Sequence, residues 1–173
     1  MKKYVFIING PGGVGKDTFV SMVADASNGL VENYSSIDKV KEVARFIGWD
    51  GAKTERDRKF LSDLKQLCIA YNDMPLKDLQ EKVSVFNASD KHIMFLHIRE
   101  PQEIEKAVRA FSAITILLTR KSVAHITSNH SDGDVFNYEY DVEIDADCSL
   151  EELAQKASVF YTDCANENLK NKY

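Results

Sequence analysis

Tyr4-Val5-Phe6-Ile7-Ile8-Asn9-Gly10-Pro11-Gly12-Gly13-Val14-Gly15-Lys16-Asp17-Thr18 carries an apolar run into a glycine-rich turn and then into a helical pattern. The run Tyr4–Asn9 is continuous rather than alternating, as expected of a strand covered on both faces. The turn fits G-x-x-x-x-G-K, with a strand before it and a helix after it, which is the context that motif requires. Its glycines let backbone N–H groups face inward with no Cβ in the way. Such N–H groups form an anion nest, and the N-terminus of the following helix adds its dipole. Lys16 supplies a mobile positive charge for β- and γ-phosphates. The stretch therefore reads as a nucleotide-phosphate loop. Its cradle is Gly10, Gly12, Gly13, Val14 and Gly15, and Lys16, Asp17 and Thr18 follow at the helix start.

Two further apolar runs, His92–Ile98 and Ile114–Thr119, read as buried strands. Leu30–Tyr34 is a short candidate strand, and Tyr138–Ile144 alternates as a half-buried one. Between them lie predicted helices over Thr18–Ala26, Ile37–Ile47, Glu55–Tyr71, Pro75–Phe86 and Gln102–Phe111. In the third of these Phe60, Leu64, Leu67 and Tyr71 form the apolar stripe, and Arg56, Arg58, Asp63 and Lys65 the polar face. Ser149-Leu150-Glu151-Glu152 is a capping-box pattern opening a last helix with Leu153, Ala157, Phe160 and Tyr161 on one side. Strands alternating with helices predict an α/β fold with a parallel sheet of five strands, flanked by helices in three layers.

The 173 residues fit one domain. With 44% hydrophobic and 28% charged residues the composition is that of an ordinary globular chain. The net charge of −5 argues against a partner that is a nucleic-acid polymer. Cys68, Cys148 and Cys164 match no metal spacing and read as free thiols of a reducing compartment. No run reaches the ~18 apolar residues of a membrane span. Met1-Lys2-Lys3 leads into the first strand rather than a cleavable signal. The expected location is cytoplasmic, with no membrane partner.

The lysine is followed by Asp17 and then Thr18. Gly-Lys-x-Thr resembles the nucleoside monophosphate kinases, and Gly-Lys-Asp-Thr the viral deoxynucleoside monophosphate kinases. Phosphomevalonate kinases share the Gly-Lys-Asp start. The resemblance implies a P-loop kinase fold, ATP and Mg²⁺ as cofactors, and a small phosphorylated acceptor. Asp17 stands either as a Mg²⁺ ligand or as a first-turn acid favoured by the helix dipole. Ser36-Ile37-Asp38-Lys39-Val40-Lys41-Glu42-Val43-Ala44 looks like the acceptor-side segment of this group. Ser36, Asp38 and Lys41 are then substrate-binding candidates, with Ser35 beside them. Arg58 and Lys65, on the segment of about 35–86 that would cover the acceptor, are candidate phosphate contacts or members of a solvated face.

Ile93–Glu100 is similar to the third strand of the group, where an Asp-apolar-Arg ending is usual. His97 replaces that Asp, which leaves Asp17 and Glu100 as the remaining metal candidates. Arg99 suits bidentate phosphate binding at this strand end. The polar stretch of about 119–137 occupies the place of a kinase lid, with Arg120 stabilising charge on the transferring group. His125 and His130 within it lack a third metal ligand and read as solvated. Tyr140–Leu153 resembles the last strand, loop and helix of the superfamily, in which the loop backs the ATP base. Lys16, Asp17, Arg99 and Arg120 are the catalytic candidates. The expectation is an ATP-dependent phosphotransferase acting on a nucleoside or deoxynucleoside monophosphate. Its alternatives are a kinase of a non-nucleotide metabolite and a nucleotide-binding regulator with little turnover. A homodimer is left open.

Overall fold

The computed structural model describes residues 2–121, 123 and 134–169. Five parallel strands form one sheet in the order β2-β3-β1-β4-β5: β1 Tyr4–Asn9, β2 Val31–Ser35, β3 Ile93–His97, β4 Ile114–Thr119 and β5 Val142–Asp145. Among the described residues six helices connect or flank them: α1 Lys16–Ala26, α2 Asp38–Phe46, α3 Glu55–Asn72, α4 Met74–Ala88, α5 Pro101–Phe111 and α6 Leu150–Ala165. A short 3-10 turn, Asp134–Asn137, precedes β5.

The continuous apolar strands are explained by two cores, one on each face of the sheet. Phe6 and Ile8 of β1 join Phe95, Phe19, Leu153 and Phe160 on the α1/α6 side. Ile7 joins Met94, Leu96, Leu79, Phe86 and Ile104 on the α4/α5 side. Period-two alternation thus sends successive apolar residues into different cores, and neither face can be polar. Phe160 is the aromatic centre of the first core, with ring centroids 5.0 Å from Phe6 and 5.7 Å from Phe19.

Local chemistry sets the ends. Ser149 caps α6 through the expected capping box, its hydroxyl accepting from Glu152 N at 3.2 Å. Pro75 lies in the first turn of α4, buried. Asp73, at φ 55°, caps α3 and α4 together and accepts from Lys106 on α5 at 2.6 Å.

Three elements differ from their sequence-based expectation. β5 starts at Val142, not Tyr138, because the preceding residues spend their groups elsewhere. The Asp141 carboxylate accepts from Thr115 N and Oγ1, both at 2.8 Å, and Tyr140 turns its hydroxyl to Asn9. α1 starts two residues early, at Lys16, because Gly15 at φ 103° adopts the left-handed cap that the turn needs. On α3, Leu67 and Tyr71 are exposed, and Lys65 is the buried residue of the helix. An ion pair, described below, rotates the inward face away from the predicted stripe.

Cys164, buried in the first core, has its thiol pushed up from 9.0 to about 12, by burial first and by Asp163 second. The folded state holds this proton more tightly than the unfolded chain does. Its contribution is therefore complete below pH about 9 and is lost as the pH rises towards about 12. Cys164→Ala is expected to flatten the alkaline fall of the thermal midpoint over that window; an unchanged slope would remove the thiol as its source.

Candidate active site

The C-terminal ends of the strands are nearly flush. Ile8 is opposite His97, Ser35 is opposite His97, and Asn9 is opposite Leu117. In an open parallel sheet, ligands bind at this edge, where the connections diverge. The glycine-rich loop leaves β1 at its centre. At Gly10, φ is 146° and a Cβ would run into the carbonyl oxygen of Leu118 on β4, so glycine is required. Val14 is fully buried and anchors the loop from below.

The loop is drawn in on itself. Lys16 Nζ donates to the carbonyls of Gly10 at 2.6 Å and Pro11 at 2.9 Å, and Val14 N donates to Pro11 O at 3.3 Å. The ammonium thus lies across the mouth of the turn. A polyphosphate would offer it stronger, charged acceptors in the same place.

Asp17 and Thr18, in the first turn of α1, are exposed. Asp17 Oδ1 stands 3.8 Å from His97 Nε2, so one metal candidate meets the residue that replaces the strand-end Asp, while the other, Glu100, is paired with Lys65. His97 Nε2 is also 2.8 Å from Asn33 Oδ1, and in the neutral ring it is the donor of that bond. Burial lowers the His97 pKa, with Asp17 opposing it, which favours the uncharged ring at neutral pH. The strand-end position therefore presents a neutral imidazole in place of a carboxylate. Among the described residues no group of three His, Cys, Asp or Glu side chains could hold a metal ion unaided. Asp17 and Thr18 offer oxygen ligands in one turn. That donor set fits Mg²⁺, which takes one or two protein oxygens and completes its octahedron with phosphates and water.

On the acceptor side, Asp38 accepts from Ser35 N at 2.9 Å and from Lys41 Nζ at 3.1 Å. Asp38 and Lys41 are both half-exposed, at the end of β2. Ser36 is buried and lines a cavity of about 10 Å³ with Glu103 and Asp73, turned under the helices rather than towards the loop. Arg58 is exposed on α3, and Arg99 is exposed just past β3.

Lys65 is placed differently from its expected polar face. Its side chain is only 7% exposed, and Nζ bridges Glu100 at 2.7 Å and Glu103 at 2.8 Å. Both Lys65 and Glu100 are thus engaged with each other, and the acceptor-phosphate and metal roles expected of them give way to a tie between α3 and α5. Burial raises the Glu103 pKa, against the lowering effect of Lys65, and Glu103 Oε1 has no hydrogen-bond partner among the described residues.

Arg120, directly after β4, donates from Nε to Ala146 O at 2.8 Å, bracing the loop between β5 and α6. Of the polar stretch 119–137, residues 122 and 124–133 lie outside the described residues, and so do His125 and His130. Two residues escaped the sequence reading. Asn9 is fully buried at the end of β1 and bonds Tyr140, 131 positions away. A polar residue closing an apolar strand just before Gly10 is the one signal that pointed there.

Solved structures share this arrangement from end to end. The chain is similar to a shikimate kinase from Aquifex aeolicus at 11% identity and TM-score 0.52, covering 95% of this chain and 99% of the other. It has the P-loop kinase fold. A gluconokinase from Sinorhizobium meliloti aligns at 14% identity and TM-score 0.51, over 98% of each chain. A sugar kinase from Janibacter aligns at 16% identity and TM-score 0.51, over 97% of this chain and 98% of the other. No protein-family model matches the sequence, and no curated protein matches it. In this chain the glycine-rich turn leaves the central strand of that sheet.

Lys65→Met keeps the length of the side chain and removes its charge. It leaves Glu103 buried without its cation, so a loss of about 2–4 kcal/mol in urea unfolding at neutral pH is expected. The loss should shrink on acidification, because protonation relieves a carboxyl whose folded pKa is already raised. Equal losses at pH 5 and pH 8 would exclude the ion pair as the cause.

Proposed function

We propose that the protein transfers the γ-phosphoryl group of ATP to a small acceptor bound at the ends of β2 and β3. The observation that carries this reading is the Gly10–Lys16 turn, set at the middle of a parallel sheet with Lys16 across its mouth. The likeness in fold to small-molecule kinases supports it.

In this mechanism the loop amides and Lys16 hold the β- and γ-phosphates, and Lys16 exchanges the Gly10 and Pro11 carbonyls for phosphate oxygens. Asp17 and Thr18 would hold Mg²⁺, which when bound would supply charge neutralisation for the transferring phosphoryl group. Arg99 meets the transferring or acceptor phosphate from the end of β3. Arg120, tied to Ala146 O, acts beside the β5–α6 loop and orders the side of the site where the nucleotide base belongs. Catalysis is positioning and charge stabilisation, with little covalent work for the protein.

The acceptor in this reading is a nucleoside or deoxynucleoside monophosphate. Arg58 and Arg99 expose guanidinium groups on its side, and a phosphate with a second pKa near ~6 is already a nucleophile at neutral pH. A second reading, a polyol or hydroxy-acid acceptor, is favoured by Asp38, a carboxylate held at the end of β2 where it can take a hydroxyl proton. The gluconokinase and the sugar kinase aligned above add weight to it.

Lys16→Ala is expected to leave the fold intact and lower ADP release in the presence of acceptor by ~10²-fold or more. Normal turnover in a folded variant would take the loop out of the mechanism. An ADP-release panel of nucleoside monophosphates, sugars and sugar acids, run with Asp38→Asn, separates the two acceptors. For a monophosphate the substitution should raise KM and spare kcat. For a hydroxyl it should lower kcat by ~10²–10⁴.

A further inference from the structure

We propose that Asn9 and Tyr140 are positioning residues that couple the phosphate loop to the helical turn Asp134–Asn137. Filling the loop with a triphosphate and ordering that turn then favour one another. The inference rests on the reading of Gly10–Lys16 as a nucleotide loop and adds a pair of residues that the loop motif does not contain.

Asn9 spends every polar group it has. Its Nδ2 donates to Arg99 O at 3.1 Å and to Tyr140 Oη at 2.8 Å, and its Oδ1 accepts from Gly10 N at 2.9 Å. Turning the amide over would face its NH₂ towards the Gly10 N–H and its oxygen towards the Arg99 carbonyl. One orientation therefore satisfies the site, and Asn9 is fully buried in it. Tyr140 passes the direction on, because its hydroxyl donates to Val135 O at 2.9 Å. Val135 is itself fully buried, which fixes the helical turn at that carbonyl. The Tyr140 ring packs edge-on to Tyr138 at 5.1 Å. Burial pushes the Tyr140 pKa up to about 12, so the donor proton is retained throughout the physiological range.

The chain of bonds meets the loop at one peptide. Asn9 holds the N–H of Gly10 while Lys16 holds its carbonyl at 2.6 Å. When Lys16 moves to a phosphate, the carbonyl is released and Asn9 remains the fixed point of that residue. Whatever holds Asn9 then holds the loop in its nucleotide-binding shape. Its two other partners are Arg99 O, at the root of the phosphate-clamping side chain, and the Tyr140 hydroxyl. The same amide thus sets the loop, the strand end that carries Arg99, and the entry to β5. Buried networks of this kind act as units when every member is satisfied.

The test uses the full chain with Mg²⁺ and the non-hydrolysable analogue β,γ-imido-ATP, followed by hydrogen exchange and calorimetry. In the wild type the analogue is expected to slow exchange both in 10–18 and in 134–140. Tyr140→Phe, which keeps the ring and loses one hydroxyl, should retain a near-normal thermal midpoint and the slowing in 10–18. It should lose the slowing in 134–140 and bind the analogue about three- to tenfold more weakly, which is the coupling between loop and turn. Asn9→Ala should show the same uncoupling, and the double variant should bind no worse than Asn9→Ala alone. Wild-type protection of 134–140 in Tyr140→Phe would overturn the coupling, and so would affinity losses that add in the double variant. Absence of protection in 10–18 of the wild type would overturn the nucleotide-loop reading and the coupling together.

Discussion

The site depends on how closely the chain leaving β1 passes over β4. No side chain fits at Gly10, because the Leu118 carbonyl occupies the space a Cβ would need. That approach holds the loop down onto the sheet, and Val14, fully buried, pins its other side. The amides of a loop held at both ends are oriented before any ligand arrives, so little ordering cost remains at binding. The two cores beneath it serve the same end. With β1 packed on both faces, the loop springs from a strand buried in both cores.

Electrostatics divides the sheet edge into a ligand side and a structural side. Lys16, Arg99 and Arg58 keep their charge at or near the open surface, while Lys65 is drawn inward to two carboxylates. A single ammonium is shared by Glu100 and Glu103, and burial, with Glu100 adding to it, keeps the Glu103 pKa raised in spite of Lys65. The pair joins α3 to the start of α5, directly after Arg99.

The loop, the buried strands and the cap of the last helix were legible because each depends on neighbours in sequence: a glycine pattern, an unbroken apolar run, Ser149 three residues before Glu152. What escaped was set by partners far along the chain. A lysine on an amphipathic helix looks solvent-facing until Glu100 and Glu103 are brought under it. The start of β5 could not be placed, because Asp141 is claimed by Thr115, 26 positions earlier. Asn9 read as the last residue of a strand, and its role emerged only with Tyr140 alongside. The strand-end His97 was visible, but its bond to Asn33 required the β2–β3 pairing.

The outer strands carry a different kind of information. β2 exposes Glu32 and Asn33, and β5 exposes Glu143 and Asp145. Open sheet edges are templates for pairing with another chain, and charge along them is a common deterrent. Two copies of this chain meeting edge to edge at β5 would set these carboxylates against one another, in a molecule already carrying −5. Charge along β5 therefore works against the sheet growing past its fifth strand.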